Sequence, residues 1–186
     1  MSRQLPFFPT LIVLAAVCTM IALGVWQLGR RAEKEALIAH YAEVASSAEA
    51  VDFPFAGSGE GVLFRRSRID CTTVIGVEAV SGTSARGQKG WVQRATCAVG
   101  TNAPVPVDLG FSRDLVTPSF TGGAIAGIIA SGPRLVADPP VAGLEPMAKP
   151  DPGDLPNNHL AYAGQWFFFA LTALVIYVLA LRRRRG

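Results

Sequence analysis

Asn157-Asn158-His159-Leu160-Ala161-Tyr162-Ala163-Gly164-Gln165-Trp166 stands where a proline-rich stretch gives way to the last apolar run of the chain. From Leu160 to Leu181 there are 22 residues without a charge, and four arginines, Arg182 to Arg185, follow at once. About 20 apolar residues, each rising about 1.5 Å, cross a bilayer core of roughly 30 Å. The run is therefore expected to be a transmembrane helix over 159–181, with His159 at its mouth and an arginine tail at 182–186.

A matching run occupies the other end of the chain. The 26 residues from Gln4 to Gly29 carry no charge and end in Gly24-Val25-Trp26-Gln27-Leu28-Gly29-Arg30-Arg31. A secretory signal peptide has an apolar region of about 7–15 residues, which is too short. A lipoprotein signal at Cys18 fits poorly, because Val17 precedes the cysteine and the apolar run continues past it. The reading is an uncleaved first span over 10–30, after a cytoplasmic entry at 1–9.

Half of the residues are hydrophobic, and the mean hydropathy is positive at +0.34. The net charge of +3 hides a segregation. All 14 acidic residues and 12 of the 17 basic ones lie between Arg30 and His159, so that segment carries −2. The remaining bases, Arg3 and the four terminal arginines, flank the apolar runs. The basic excess is thus topological and gives no support to nucleic-acid binding. Lys and Arg near span ends stay on the cytoplasmic side, whereas long loops cross largely regardless of charge. The arginine tail places both termini inside and the middle outside, against the opposing signal of Arg30, Arg31 and Lys34. The expected location is a bacterial inner membrane, with the central domain in the periplasm.

The middle reads as one domain. Arg30 to about Ser47 keeps helical character, with Leu37, Tyr41 and Val44 at i, i+4 and i+7, as a continuation of the first helix or a short second one. Val62–Ile69, Thr72–Val80, Gly90–Val99, Val105–Phe111 and Ala124–Ala130 are short runs rich in valine and isoleucine. Turn-formers such as Ser81-Gly82 and Thr121-Gly122-Gly123 separate them. They predict a small antiparallel sheet bent into a sandwich or partial barrel. Six prolines among residues 139–156 keep that stretch extended, either along the domain or as a spacer. The fold class is a membrane α+β protein, two transmembrane helices flanking one small antiparallel β-rich extracytoplasmic domain. That domain, with its leading helix, is 31–138, and the linker is 139–158.

Cys71 and Cys97 both fall in this domain. A hairpin of 71–80 with 89–98 would set them opposite one another, and a disulfide there would close about 26 residues for roughly 3–4 kcal/mol. Two separate buried thiols are the other reading. No CxxC is present, which argues against a thiol-exchange enzyme.

A chain that runs out and back brings Trp26, Gln27 and Arg30 to one membrane level with His159, Tyr162, Gln165 and Trp166. His159, Tyr162 and Trp166 recur at i, i+3 and i+7 of one helix, and Gly24 and Gly164 would admit a close helix approach. Trp and Tyr gather at membrane interfaces without any ligand, and arginines at helix ends reach to head groups. A neutral imidazole also ligates iron. An apolar cleft with indole rings for a macrocycle and Arg30 for its propionates would suit a haem. A capping or interfacial histidine is the alternative.

Gly24-x-Trp26-Gln27-x-x-Arg30-Arg31-x-x-Lys34-x-x-Leu37-Ile38 resembles the first-span signature of the Surfeit locus protein 1 family, and Asn157-Asn158-His159-Leu160-x-Tyr162-Ala163-x-x-Trp166-Phe167 resembles its second-span signature. The likeness implies a cytochrome c oxidase biogenesis factor without enzymatic activity, with two spans around an outer domain. It also implies an association with haem a and its delivery to the oxidase core subunit, with haem a synthase a further candidate partner. On this reading His159 is the axial ligand to the haem iron, Trp26, Gln27, Tyr162 and Trp166 surround the ring, and Arg30 pairs with a propionate. A haem-free scaffold that clamps oxidase subunits is the alternative.

Overall fold

The computed structural model describes residues 6–115 and 117–183. Arg3, Arg184 and Arg185, on which part of the orientation argument rests, lie outside the described residues. Two compact units divide the chain. The first contains residues 1–37 and 156–186, the second residues 38–155.

The first unit is a helical pair. Helix α1 runs Phe7–Ala45 without a break, so the expected first span and its leading helix are one element. Helix α2 runs His159–Arg183. Both are long and apolar enough to cross a membrane. They run antiparallel, tied at one end by Gln27 with His159 and at the other by Thr10 with Tyr177. On α1 the more covered positions include Thr10, Val13, Val17, Met20, Gly24 and Gln27; on α2 they include His159, Ala163, Trp166, Ala170 and Tyr177. These steps of three and four are the seam of a left-handed helix pair. Small residues sit in it: Ala163 and Ala170 are almost fully buried. Gly24 underlies Phe167, whose ring would lie 2.6 Å from any Cβ added there. The expectation for Gly164 is corrected. It faces open space, and its neighbour Ala163 is the small residue in the seam.

The second unit is a curled seven-stranded sheet. Its strands are β1 (Ala50–Val51), β2 (Arg66–Cys71), β3 (Thr73–Thr83), β4 (Lys89–Ala98), β5 (Val105–Ser112), β6 (Gly123–Ala130) and β7 (Arg134–Ala137). They lie in the order β1-β2-β6-β7-β5-β4-β3. The five expected strands are present with shifted ends, since residues 60–62 form a 3-10 turn before β2. The sheet is mixed rather than wholly antiparallel, because β1 pairs parallel to β2 and β7 parallel to β5. β2 and β3 stand near opposite ends of the row, yet only Thr72 separates them, so the sheet must curl back on itself.

Curling encloses the main core. Val107, Leu109, Ile129 and Leu135 are fully buried there, each contributing about 1.5–3 kcal/mol of transfer free energy. Tyr41, on the last turns of α1, packs against Phe64 with ring centroids 5.3 Å apart. A bulge between β4 and β5 sets Gln93 opposite Gly110 but Arg94 opposite Asp108, so Leu109 is the extra residue. The inserted residue switches the facing of β5. Val105, Val107 and Leu109 therefore enter the main core, whereas Phe111 joins Val92, Val136 and Met147 in a second cluster.

The proline-rich stretch lies along this unit as a strap. Val141 N donates to Leu109 O, Phe111 and Glu145 exchange both backbone bonds, and Ala148 N donates to Thr83 O. Gly110 makes room for it, since an added Cβ would lie 2.4 Å from Leu144 Cβ. The stretch was expected to hold no helix. A single 3-10 turn nevertheless forms at Pro152–Asp154, where Pro152 opens the turn and needs no N–H.

Candidate functional site

His159 is the first residue of α2, and the Asn158 carbonyl ahead of it accepts the Tyr162 N–H. Its imidazole is half-buried. His159 Nδ1 lies 2.7 Å from Gln27 Oε1, a bond that joins two residues 132 apart in sequence. A carbonyl oxygen only accepts, so His159 donates from Nδ1 and Nε2 is the ring nitrogen outside this bond.

The structure brings only part of the expected set into this contact. Trp166 sits about two turns further along the seam, half-buried and edge-on to Phe169 at 6.3 Å. Trp26 is 56% exposed and Tyr162 49%, so both turn outward from the helix seam. Arg30 is exposed and paired with Glu33 one turn on, and Arg31 pairs with Glu35 at 2.7 Å. The carboxamide oxygen of Asn157, two residues before His159, is buried without a hydrogen-bond donor among the described residues. Among those residues no group of three His, Cys, Asp or Glu side chains is placed to hold a metal ion.

In the sheet unit Cys71 and Cys97 form a disulfide. Its setting differs from the hairpin that the sequence suggested. Cys71 ends β2, and the ladder partner of Cys97 is Val74 of β3. The bond thus joins β2 to β4, strands far apart in the row, across the point where the sheet curls. Thr72 N donating to Ala98 O at 2.9 Å reinforces the same junction.

One polar cluster escaped the sequence reading. Asp108 on β5 is 4% exposed and accepts from Arg94 Nε at 2.6 Å and from Arg134 Nε at 2.9 Å. The hydrogen bond to Asp108 raises the Arg94 guanidinium above its ordinary value, against the opposing effect of burial. A cleft of about 260 Å³ opens beside it, with Val92, Val136 and Met147 among its walls. The signal was a lone acid inside the apolar run Val105-Pro106-Val107-Asp108-Leu109. A carboxylate there must be paired if the strand is buried.

No curated protein matches the chain. The SURF1 family pattern matches residues 14–171, which takes in both signatures, the sheet and the strap. That span is most of the chain, which therefore belongs to the SURF1 family, known as cytochrome oxidase assembly factors.

Proposed function

We infer that this protein is an inner-membrane assembly factor for cytochrome c oxidase that holds haem a transiently on its helix pair and passes it to the oxidase core subunit. Haem a synthase is the natural donor. The haem is cargo, and the protein binds and presents it without chemical turnover. The observation that carries this reading is the hydrogen bond from His159 Nδ1 to Gln27 Oε1. A partner on the other helix fixes the ring and leaves Nε2 as the nitrogen available to iron, the role that a second shell plays at metal-bound histidines. Trp26 and Tyr162 supply aromatic surface on the outer side of the pair near that level, and Trp166 supplies it about two turns deeper. The Arg30 guanidinium keeps N–H groups beyond its pairing with Glu33 for a propionate.

The arginines after Leu181 support cytoplasmic termini and a periplasmic sheet unit. An oxidising compartment is also the one in which a disulfide such as Cys71–Cys97 persists. The test is purification from cells that make haem a, with His159→Ala and Gln27→Leu beside the parent. His159→Ala should lose the bound-haem absorption. Gln27→Leu should keep the ligand but bind about 10–100-fold more weakly. An unchanged spectrum in His159→Ala removes this residue as the ligand.

A second reading is a haem-free scaffold that clamps oxidase subunits. The outward-facing Trp26 and Tyr162 and the engagement of Arg30 by Glu33 favour it, since each would serve a helix–helix contact equally well. Oxidase subunits that co-purify with a haem-free parent protein would decide for the scaffold.

A further inference from the structure

The opposite end of the helix pair carries a second feature. A groove of about 130 Å³ lies between the start of α1 and the end of α2, lined by Pro6, Pro9, Tyr177, Ala180 and Leu181. Its side-chain walls are apolar except for the Tyr177 hydroxyl, which is bonded to Thr10. Thr10 Oγ1 already donates to Pro6 O at 2.7 Å, so the tyrosine is the donor in that bond and has no proton left to offer. These bonds tie the two walls of a mostly apolar groove together. Directly after Leu181 come Arg182 and Arg183, both exposed in the last turn of α2. No acidic residue lies within 1–32 or 155–186, so no carboxylate of either segment is there to neutralise them.

We propose that this end of the helix pair binds an anionic phospholipid, with part of an acyl chain in the groove and the phosphate on Arg182 and Arg183. Only such a lipid matches both halves of the site. The groove has room for a few methylene groups and no free donor on its side chains for a polar guest, while the arginines directly after the apolar run offer a phosphate its counter-charge. Arginines that served orientation alone would require no groove beside them. Clustered bases next to spans add about 1 kcal/mol each toward anionic lipid, about a fivefold preference per arginine. The proposal needs the helices to span a bilayer and is independent of the haem reading.

The test uses the full chain in phosphatidylcholine vesicles with spin-labelled phosphatidylglycerol or spin-labelled phosphatidylcholine as the probe. The expected result is a several-fold excess of immobilised phosphatidylglycerol, which inorganic phosphate does not displace. Arg182→Gln with Arg183→Gln should remove the excess, and the paired Lys substitutions should keep most of it. Ala180→Trp, which fills the groove and leaves every charge in place, should also remove it. Equal retention of the two lipids by the parent overturns the proposal. So does an excess that survives Ala180→Trp, which would reduce the effect to surface charge, or one displaced by inorganic phosphate. A chain that washes off the vesicles overturns the membrane reading together with the site.

Discussion

Asp108 shows how one side chain can fix the arrangement of three strands. It is on β5, Arg94 on β4 and Arg134 at the start of β7, and the ladder between β5 and β7 is only two residue pairs long. So short a parallel pairing has little hold of its own, and the shared carboxylate supplies what the ladder lacks. Asp108→Ala leaves two partly buried guanidiniums without their anion, and breaking a buried pair costs about 3–5 kcal/mol. Both arginine side chains keep about a third or less of their exposure, which points to the lower end of that range. Urea unfolding of the full chain in detergent should show it. For Arg94 the folded value is raised, so its contribution is complete below the ordinary arginine range and is lost only as pH rises beyond it. Its share of the stability should therefore not vary across the range in which proteins are ordinarily measured.

The long elements were legible in the sequence because each repeats its signal many times. A run of 26 or 22 uncharged residues marks a long apolar helix, and the valine-rich runs between glycine turns located five strands. Strands β1 and β7, of two and four residues, are too short to show a period of two, so no pattern in the chain announces them. Nor does local sequence reveal that β7 returns parallel to β5, a pairing set by long-range closure. The strap was half legible. Its prolines excluded a long helix, but its path depends on Gly110, whose role appears only when Leu144 is seen above it. Gly110→Val would push Leu144 and the Glu145 carbonyl away from β5, since even a Cβ there meets them at 2.4 and 3.1 Å. The expected result is faster hydrogen exchange at Val141 and Glu145 and proteolytic nicking between residues 139 and 150. The helices should be unaffected. Strap amides that exchange as slowly as before would show that the glycine is not what seats it.

For the molecule as a whole, the candidate site was more legible than the domain that accompanies it. His159 and Gln27 stand at fixed places in two helical signatures, so running the chain out and back already puts them at one level. The outward orientation of Trp26 and Tyr162 was not legible, because the helix seam follows Gln27 and Ala163 rather than the aromatic residues. The sheet unit depends instead on how its row of strands is held in a curl. Cys71 and Cys97 are 1% and 0% exposed, and their bond spans the junction at Thr72 where the two ends of the row meet. Closing 26 residues removes unfolded-chain entropy worth about 3.5 kcal/mol, and removal of native disulfides from small domains typically costs about 2–5 kcal/mol. Cys71→Ser with Cys97→Ser should therefore destabilise the sheet unit by about 3 kcal/mol in urea. The loss should be seen in the near-ultraviolet signal of the sheet unit, to which Tyr41 and Trp91 contribute, while the far-ultraviolet helical signal of the apolar segments persists. Should the double variant unfold at the same urea concentration as the parent, the curl is held by the strand ladders and the Asp108 cluster, and the disulfide is incidental to it.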